Sequence, residues 1–235
     1  MGNLIVNLAL PGSILSYDMN LSYLKFIAVD RDYIIPIRHY HWYDKLPTVI
    51  MAHSNSEDIG CINIEKLSHL YNVNIITFDY AGLYGLHSCR TASQQNCSKD
   101  ALAVYQYLKS KNINNIILWG RSIGTGVMSK LAYYLCRNNI PCKLILVSAF
   151  KTVMTTMINI WTPFDLFRTE DIAPYITCPT LIMTGCCDAV TSCQRSYELS
   201  QLFPNATFIP IIGAGHHNVF KFKQYDEAML KFIHG

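Results

Sequence analysis

The chain has 235 residues and a formal charge of +3, and 51% of its residues are hydrophobic while 15% are charged. This composition excludes a disordered chain, and so small and scattered a charge argues against a nucleic-acid-binding protein. No run approaches the roughly 18 consecutive apolar residues of a membrane span, so we expect one globular domain over residues 1–235, with residues 1–22 as an extension packed on it.

The nine cysteines are odd in number and lack the paired spacings of a zinc ribbon or a small disulfide scaffold. The vicinal residues Cys186 and Cys187 lack the two intervening residues of a thioredoxin-type site. We therefore expect reduced thiols that pack as small hydrophobic side chains in a cytoplasmic protein. The sequence indicates no metal site and no cofactor.

The first predicted element is an antiparallel hairpin. Two extended runs, Phe26 to Val29 and Tyr33 to His39, flank the charged turn Asp30-Arg31-Asp32. Alternating runs on either side of a polar turn are typical of paired antiparallel strands. The hairpin therefore precedes the rest of the predicted sheet.

Six short runs after the hairpin are rich in Ile, Val and Leu. Their continuous apolar character predicts strands that are buried on both faces, as in a parallel sheet. They are Thr48 to Ala52, Asn74 to Phe78, Ile116 to Trp119, Leu144 to Val147, Thr180 to Met183 and Thr207 to Ile212.

Segments with helical periodicity lie between these strands. Examples are Ala101 to Leu108, Ile123 to Leu135 and the closing segment Gln224 to Ile233. Alternating strands and crossover helices imply a mostly parallel sheet with helices on both faces. The predicted fold class is therefore α/β, and we expect the chemistry in the loops at the strand ends.

A candidate nucleophile follows the strand Ile116 to Trp119. Residues Gly120 to Gly124 match the pattern G-x-S-x-G, with Ser122 at its centre and a predicted helix directly after it. This context exposes a serine hydroxyl at the edge of the sheet, and the helix N-terminus favours developing negative charge. We therefore predict that Ser122 is a nucleophile.

A serine nucleophile needs a histidine base and a carboxylate that orients the base. Asp188 follows the strand Thr180 to Met183, and His216 follows the last strand, so both fall at the same edge of the predicted sheet. The chain order Ser122, Asp188, His216 is that of α/β-hydrolases. The adjacent His217 is a rival base, but the Gly-x-Gly-His pattern favours His216.

The oxyanion of an acyl-transfer reaction needs backbone N–H donors. One donor is predicted at Ile123, directly after the nucleophile, and another in the loop after the first parallel strand. In that loop we assign the second donor to Asn55, with Ser54 as the alternative. Asp79, at the end of the next strand, is interpreted as a residue that shapes a turn.

Five groups of residues together carry a family resemblance. They are His53-Ser54-Asn55 with Asp58-Ile59-Gly60, then Phe78 to Gly85, Gly120 to Thr125, Gly185 to Val190, and Gly213-Ala214-Gly215-His216. From about Val49 to its C-terminus, the chain resembles the alpha/beta-hydrolase-domain-17 group of serine hydrolases.

This resemblance implies an α/β-hydrolase fold with Ser122 as nucleophile, Asp188 as acid and His216 as base. Members of the group are protein depalmitoylases, which cleave the thioester between a fatty acid and a cysteine of membrane-associated proteins. The implied substrate is an acylated protein or another acyl ester, and the implied localisation is the cytoplasm with peripheral membrane contact.

Two other functions stay open. A carboxylesterase or a monoacylglycerol or lysophospholipid lipase would use the same triad, and an inactive hydrolase fold would serve as a scaffold. Residues 151–178 are too few for a full cap, which predicts an open site with a minimal cap. Their apolar side chains either pack on the domain or form an acyl-chain groove or membrane-contact surface.

Overall fold

The computed structural model describes residues 15–18, 23–31, 33–80, 93–154 and 165–235. Most of the predicted N-terminal extension lies outside these ranges. Within residues 15–18, Leu15 packs against the hydrophobic core and the Ser16 N–H donates to the Asp58 carboxylate at 2.6 Å. Residues 155–164 of the apolar insert also lie outside the described residues.

The strands of the described residues agree with the predicted runs to within two residues at each end. They are β1 (Lys25–Asp30), β2 (Tyr33–Tyr40), β3 (Thr48–Ala52), β4 (Asn74–Phe78), β5 (Ile116–Arg121), β6 (Lys143–Val147), β7 (Thr180–Gly185) and β8 (Ala206–Ile211).

The helices lie between the parallel strands and after the last one. They are α1 (Ile64–Tyr71), α2 (Gln94–Ser110), α3 (Ile123–Arg137), α4 (Thr169–Ile172), α5 (Cys193–Ser200) and α6 (Lys223–His234). Asn63 and Ser93 cap α1 and α2, because each side chain accepts a hydrogen bond from a backbone N–H of the first turn. In the part of the chain that the structure describes, no helix has the length and apolar character needed to cross a bilayer.

All eight of these strands form one sheet in the order β1-β2-β4-β3-β5-β6-β7-β8. β1 pairs with β2 and β2 with β4 in antiparallel fashion, whereas every pair from β4 to β8 is parallel. The predicted mostly parallel sheet with an N-terminal antiparallel hairpin is therefore confirmed. The carboxyl ends of the parallel strands meet at one edge, where the predicted site residues follow them.

Two hydrophobic cores cover the two faces of the sheet. Along β5, Ile116 and Leu118 belong to the core on one face, and Ile117 and Trp119 belong to the core on the other. Successive side chains of a strand point to opposite faces, so a run that is apolar at every position can be buried on both. The predicted burial of the central strands is confirmed.

The prediction of full burial is wrong for the last strand. In β8 only Ile211 is buried, and residues Ala206 to Pro210 are partly or fully exposed. Among the described strands it pairs with β7 alone and forms an edge of the sheet. Its apolar composition resembles that of a central strand, but position in the sheet decides burial.

Candidate active site

Ser122 occupies a sharp turn between β5 and α3. Its backbone has φ 50° and ψ −120°, a conformation that costs a residue with a side chain about 1–3 kcal/mol. Two backbone bonds hold the turn: the Ser122 N–H donates to Val147 O at 2.9 Å, and the Thr125 N–H donates to Ser122 O at 2.8 Å. The strand and the helix together fix a strained serine at the carboxyl edge of the sheet.

The two glycines beside Ser122 are required by close backbone approach. A Cβ at Gly120 would clash with the carbonyl of Gly124, and a Cβ at Gly124 would clash with the carbonyl of Ala52. The turn therefore packs directly against the end of β3. This contact brings the loop that follows β3 next to the serine.

The structure brings the three predicted triad residues together. His216 Nε2 lies 3.1 Å from Ser122 Oγ, and His216 Nδ1 lies 2.8 Å from Asp188 Oδ2. The two ring nitrogens of one imidazole therefore connect the hydroxyl and the carboxylate in line. In this arrangement a neutral His216 donates from Nδ1 to Asp188 and accepts at Nε2 from Ser122.

Asp188 is held by donors on both of its oxygens. Its Oδ1 accepts from the N–H groups of Val190 and Thr191 at 2.9 and 2.7 Å, while its Oδ2 accepts from His216 and from Ser148 Oγ. Burial alone would raise the pKa of Asp188, but the bonds from His216, Thr191 and Ser148 lower it below its ordinary value. The carboxylate is therefore ionised and fixed in orientation.

Sequence reasoning missed Ser148, which follows β6 at the same edge of the sheet. Its hydroxyl donates to Asp188 Oδ2 at 2.9 Å, and its N–H donates to Met183 O at 2.8 Å. Its backbone φ is 55°, uncommon for a residue with a side chain. Its place directly after a parallel strand is the signal that would have pointed to it.

The rival base His217 contacts the His216 ring edge-on, with ring centroids 5.1 Å apart. His216 is the histidine whose ring contacts both Ser122 Oγ and Asp188 Oδ2. Before it, the Gly215 N–H donates to the Asn218 side chain at 2.7 Å and so closes the loop around the histidine. The loop geometry thus selects the first histidine of the pair.

The two predicted oxyanion donors lie on neighbouring segments. Ile123 begins α3, and Asn55 lies in the turn after β3 that packs on the α3 N-terminus. The N–H of the alternative, Ser54, faces the Glu57 carboxylate at 3.4 Å, and the Ser54 hydroxyl donates to the same carboxylate at 2.9 Å. Ser54 is thus turned towards Glu57, and the assignment of the second donor to Asn55 stays a prediction.

The loop after β3 rests on a buried ion pair that the sequence interpretation did not anticipate. His53 Nε2 lies 3.0 Å from Asp79 Oδ1, and both side chains are fully buried. His53 Nδ1 lies 2.7 Å from Ser54 O, and Asp79 also accepts from the Ile59 N–H at 3.0 Å. Asp79 does not simply shape a turn: it ties the end of β4 to the β3 loop.

The groups around His53 favour the charged form of its ring. Its two ring nitrogens face a carbonyl oxygen and a carboxylate, and both of these are acceptor groups. Burial disfavours the charged form, but the contacts with Asp79 and Ser54 O outweigh it and raise the pKa of His53. A buried imidazolium–carboxylate pair therefore supports the loop that carries Asn55.

A cavity of about 370 Å³ lies beside the turn that holds Ser122. Arg121 lines it, forms an ion pair with Glu57, and places its guanidinium 5.2 Å from the centre of the Phe220 ring. Trp119 adds apolar surface to the lining. Arg121 thus links the β3 loop to the segment that follows His216.

Comparison with known proteins agrees with this architecture. A family model described as steryl acetyl hydrolase matches residues 59–159. Alpha/beta hydrolase domain-containing protein 17C of Mus musculus is 32% identical over 196 residues, covering 79% of this chain and 59% of that protein. Lysophosphatidylserine lipase ABHD12 of Danio rerio is 27% identical over 233 residues, covering 82% of this chain and 60% of the relative.

The solved structure of Est1E from Butyrivibrio proteoclasticus has the same fold, with a TM-score of 0.68 at 19% identity over 90% of this chain and 98% of that chain. The present chain spans about 60% of the length of the two sequence relatives. Fold and sequence agree: the chain has an α/β-hydrolase fold and is similar in sequence to proteins of the domain-17 group.

Proposed function

We propose that the chain is a serine hydrolase that cleaves acyl thioesters or esters through an acyl-enzyme on Ser122. The observation that carries the proposal is the line from Ser122 Oγ through His216 to Asp188, with separations of 3.1 and 2.8 Å. A hydroxyl, an imidazole and a buried carboxylate in this order are the components of nucleophilic acyl transfer.

In the proposed first step, Ser122 Oγ attacks the acyl carbonyl while His216 Nε2 takes the hydroxyl proton. Asp188 stabilises the imidazolium that forms, and the N–H groups of Ile123 and Asn55 donate to the oxyanion. His216 then gives its proton to the leaving thiolate or alkoxide. Water, activated by the same histidine, hydrolyses the acyl-enzyme in the second step and restores Ser122.

The preferred substrate is a long-chain S-acyl protein, because the chain is similar to the domain-17 group, whose members are depalmitoylases. Such a substrate is presented at a membrane surface, and this is the proposed site of peripheral contact for a cytoplasmic enzyme. The hypothesis that the apolar insert forms an acyl-chain groove stays a prediction from the sequence, because residues 155–164 lie outside the described residues.

A carboxylester lipase is the second candidate function. The names of the ABHD12 relative and of the matching family model point to lysophospholipid and steryl ester substrates in those proteins. The triad chemistry is the same for both candidates, because both form the same acyl-enzyme on the serine and both leaving groups depart from a tetrahedral intermediate.

Hydrolysis of a palmitoyl thioester and a palmitoyl glycerol ester, by wild type and by Ser122→Ala, separates the candidates. We expect the thioester to be strongly preferred and the variant to be inactive. Preference for the glycerol ester would show that the enzyme is a lipase and not a thioesterase. If neither substrate is cleaved and Ser122 fails to react with a fluorophosphonate probe, the chain is a scaffold and the proposal is wrong.

A further inference from the structure

Three cysteines converge at the edge of the sheet opposite to Ser122. Cys136 lies in the last turn of α3, Cys142 directly precedes β6, and Cys178 lies two residues before β7. Their sulfur atoms all lie within 4.8 Å of one another. Cys136 and Cys142 are 6 positions apart in sequence, and Cys142 and Cys178 are 36 apart, so no short cysteine motif indicates the cluster.

The spacing of the sulfur atoms suits a metal ion. A tetrahedral site with zinc–sulfur bonds of about 2.3 Å places its ligand sulfur atoms about 3.8 Å apart. Shifts of no more than about 1 Å therefore bring the three sulfur atoms to this separation. Rotation about the Cα–Cβ bonds supplies such shifts without moving the strands.

Access differs among the three thiols. Cys142 and Cys178 are buried, whereas Cys136 is partly exposed. An ion can therefore reach the cluster from the Cys136 side and keep a water ligand there.

We propose that Cys136, Cys142 and Cys178 bind a thiophilic divalent cation such as Zn²⁺, which ties the end of α3 to the starts of β6 and β7. Thiolates select soft and borderline metal ions over Mg²⁺ or Ca²⁺. Each thiol that ligates the ion releases its proton to solvent, and no electron is transferred. The site stabilises the fold and takes no part in acyl transfer, since the triad lies at the other edge of the sheet.

Titration of the full chain with Cd²⁺ tests the proposal, because cadmium–thiolate bonds absorb in the ultraviolet in proportion to their number. A phosphine reductant keeps the thiols reduced without the chelation that a dithiol would cause. We expect saturation at one equivalent with the absorption of three cadmium–sulfur bonds. Zn²⁺ added in place of Cd²⁺ should raise the Tm of the protein.

The variants Cys178→Ser and Cys136→Ser should each weaken Cd²⁺ binding by about 100-fold and abolish the rise in Tm. The matched control is the double variant Cys186→Ser/Cys193→Ser, which removes another close thiol pair, with sulfur atoms 3.5 Å apart. This control should keep the one-equivalent site.

Unchanged Cd²⁺ affinity in both cluster variants, or loss of binding in the control, would overturn the proposal. Turnover of a soluble ester shows that each cluster variant is folded, and Cys136→Ser, at the partly exposed position, disturbs packing least. A dead enzyme that still binds Cd²⁺ at one equivalent would contradict the hydrolase proposal and leave the metal site intact.

Discussion

Two histidine–carboxylate pairs lie at the carboxyl edge of one sheet, and they are built for different tasks. His216 faces Asp188 at 2.8 Å and His53 faces Asp79 at 3.0 Å. The second nitrogen of His216 reaches the Ser122 hydroxyl, whereas that of His53 reaches the carbonyl of Ser54. A hydroxyl can give up its proton to an imidazole, but a carbonyl can only accept one.

The pairs also differ in exposure. The His216 side chain is 9% exposed, and that of His53 is 0% exposed. An imidazole that exchanges protons with a substrate needs access to it, and His53 has none. The comparison shows that the partner of the second ring nitrogen separates the two cases. A histidine whose second nitrogen faces a hydroxyl is a candidate base, whereas one whose second nitrogen faces a backbone carbonyl supports the backbone.

The largest effect is expected where the His216–Asp188 pair meets Ser122. Ser122→Ala and His216→Ala should each reduce kcat by about 10⁶-fold, because the nucleophile and its base act as a unit. His217→Ala is the matched control and should stay within a few-fold of wild type. Steady-state kinetics with a soluble ester, and thermal unfolding of each variant, check this. Equal losses at His216 and His217 would contradict the assignment of the base.

At the carboxylate end of the His216–Asp188 pair, Asp188→Asn should lower kcat by about 10⁴-fold. The amide presents the wrong partner to His216 Nδ1 and does not stabilise an imidazolium. Single-turnover measurements of acylation report the effect on the chemical step. A rate near that of wild type would place the acid elsewhere in the loop cluster.

In the buried pair the main effect should be on stability. Asp79→Asn leaves the His53 imidazolium without its counter-charge, and breaking a buried pair in this way costs about 3–5 kcal/mol of unfolding free energy. Asp44→Asn is the control, because Asp44 pairs with His41 at 2.7 Å but is 97% exposed. Urea denaturation should show little change for the control. A similarly small change in the unfolding free energy of Asp79→Asn would mean that the His53–Asp79 pair carries no charge.

Ser148→Ala tests the contribution of a single hydrogen bond to the His216–Asp188 pair. Loss of the bond to Asp188 Oδ2 should lower kcat by about tenfold, since bonds to charged groups contribute about 1.5 kcal/mol or more. KM should change little, because Ser148 acts through Asp188. Ser148→Thr should restore part of the rate by supplying a hydroxyl. Unchanged kcat in Ser148→Ala would mean that the Ser148 hydroxyl does not contribute to the rate.

The two pairs should respond to pH in opposite directions. The folded pKa of Asp188 is lowered, so its stabilising contribution is present above its ordinary pKa of 3.8 and is lost as the pH falls below that value. The folded pKa of His53 is raised, so its contribution is fully present below 6.5 and is lost as the pH rises through the raised value.

Unfolding free energies of wild type, Asp188→Asn and His53→Asn across the pH range test this contrast. The difference between wild type and Asp188→Asn should shrink on acidification, and the difference between wild type and His53→Asn should shrink at alkaline pH. Parallel curves for the two variants would show that the pairs do not differ in protonation.

Most of the fold could be predicted because its signals are local. The runs Val49 to Ala52 and Ile116 to Trp119 are apolar at every position, which is typical of strands covered on both sides. The G-x-S-x-G turn at Ser122 requires glycines at two close contacts. The same reasoning failed for β8, because an edge strand and a central strand can share a composition. Localisation in the cytoplasm and contact with a membrane stay predictions.

By itself the sequence determined the strand–helix alternation, the nucleophile turn and the order of Ser122, Asp188 and His216, since each depends on neighbours along the chain. Only the tertiary structure decided that Ser148 supports Asp188, that His53 and Asp79 form a buried pair, and that Cys136, Cys142 and Cys178 meet. Those contacts join segments that are far apart in sequence. They exist because parallel strands bring all their starts to one edge of the sheet and all their ends to the other.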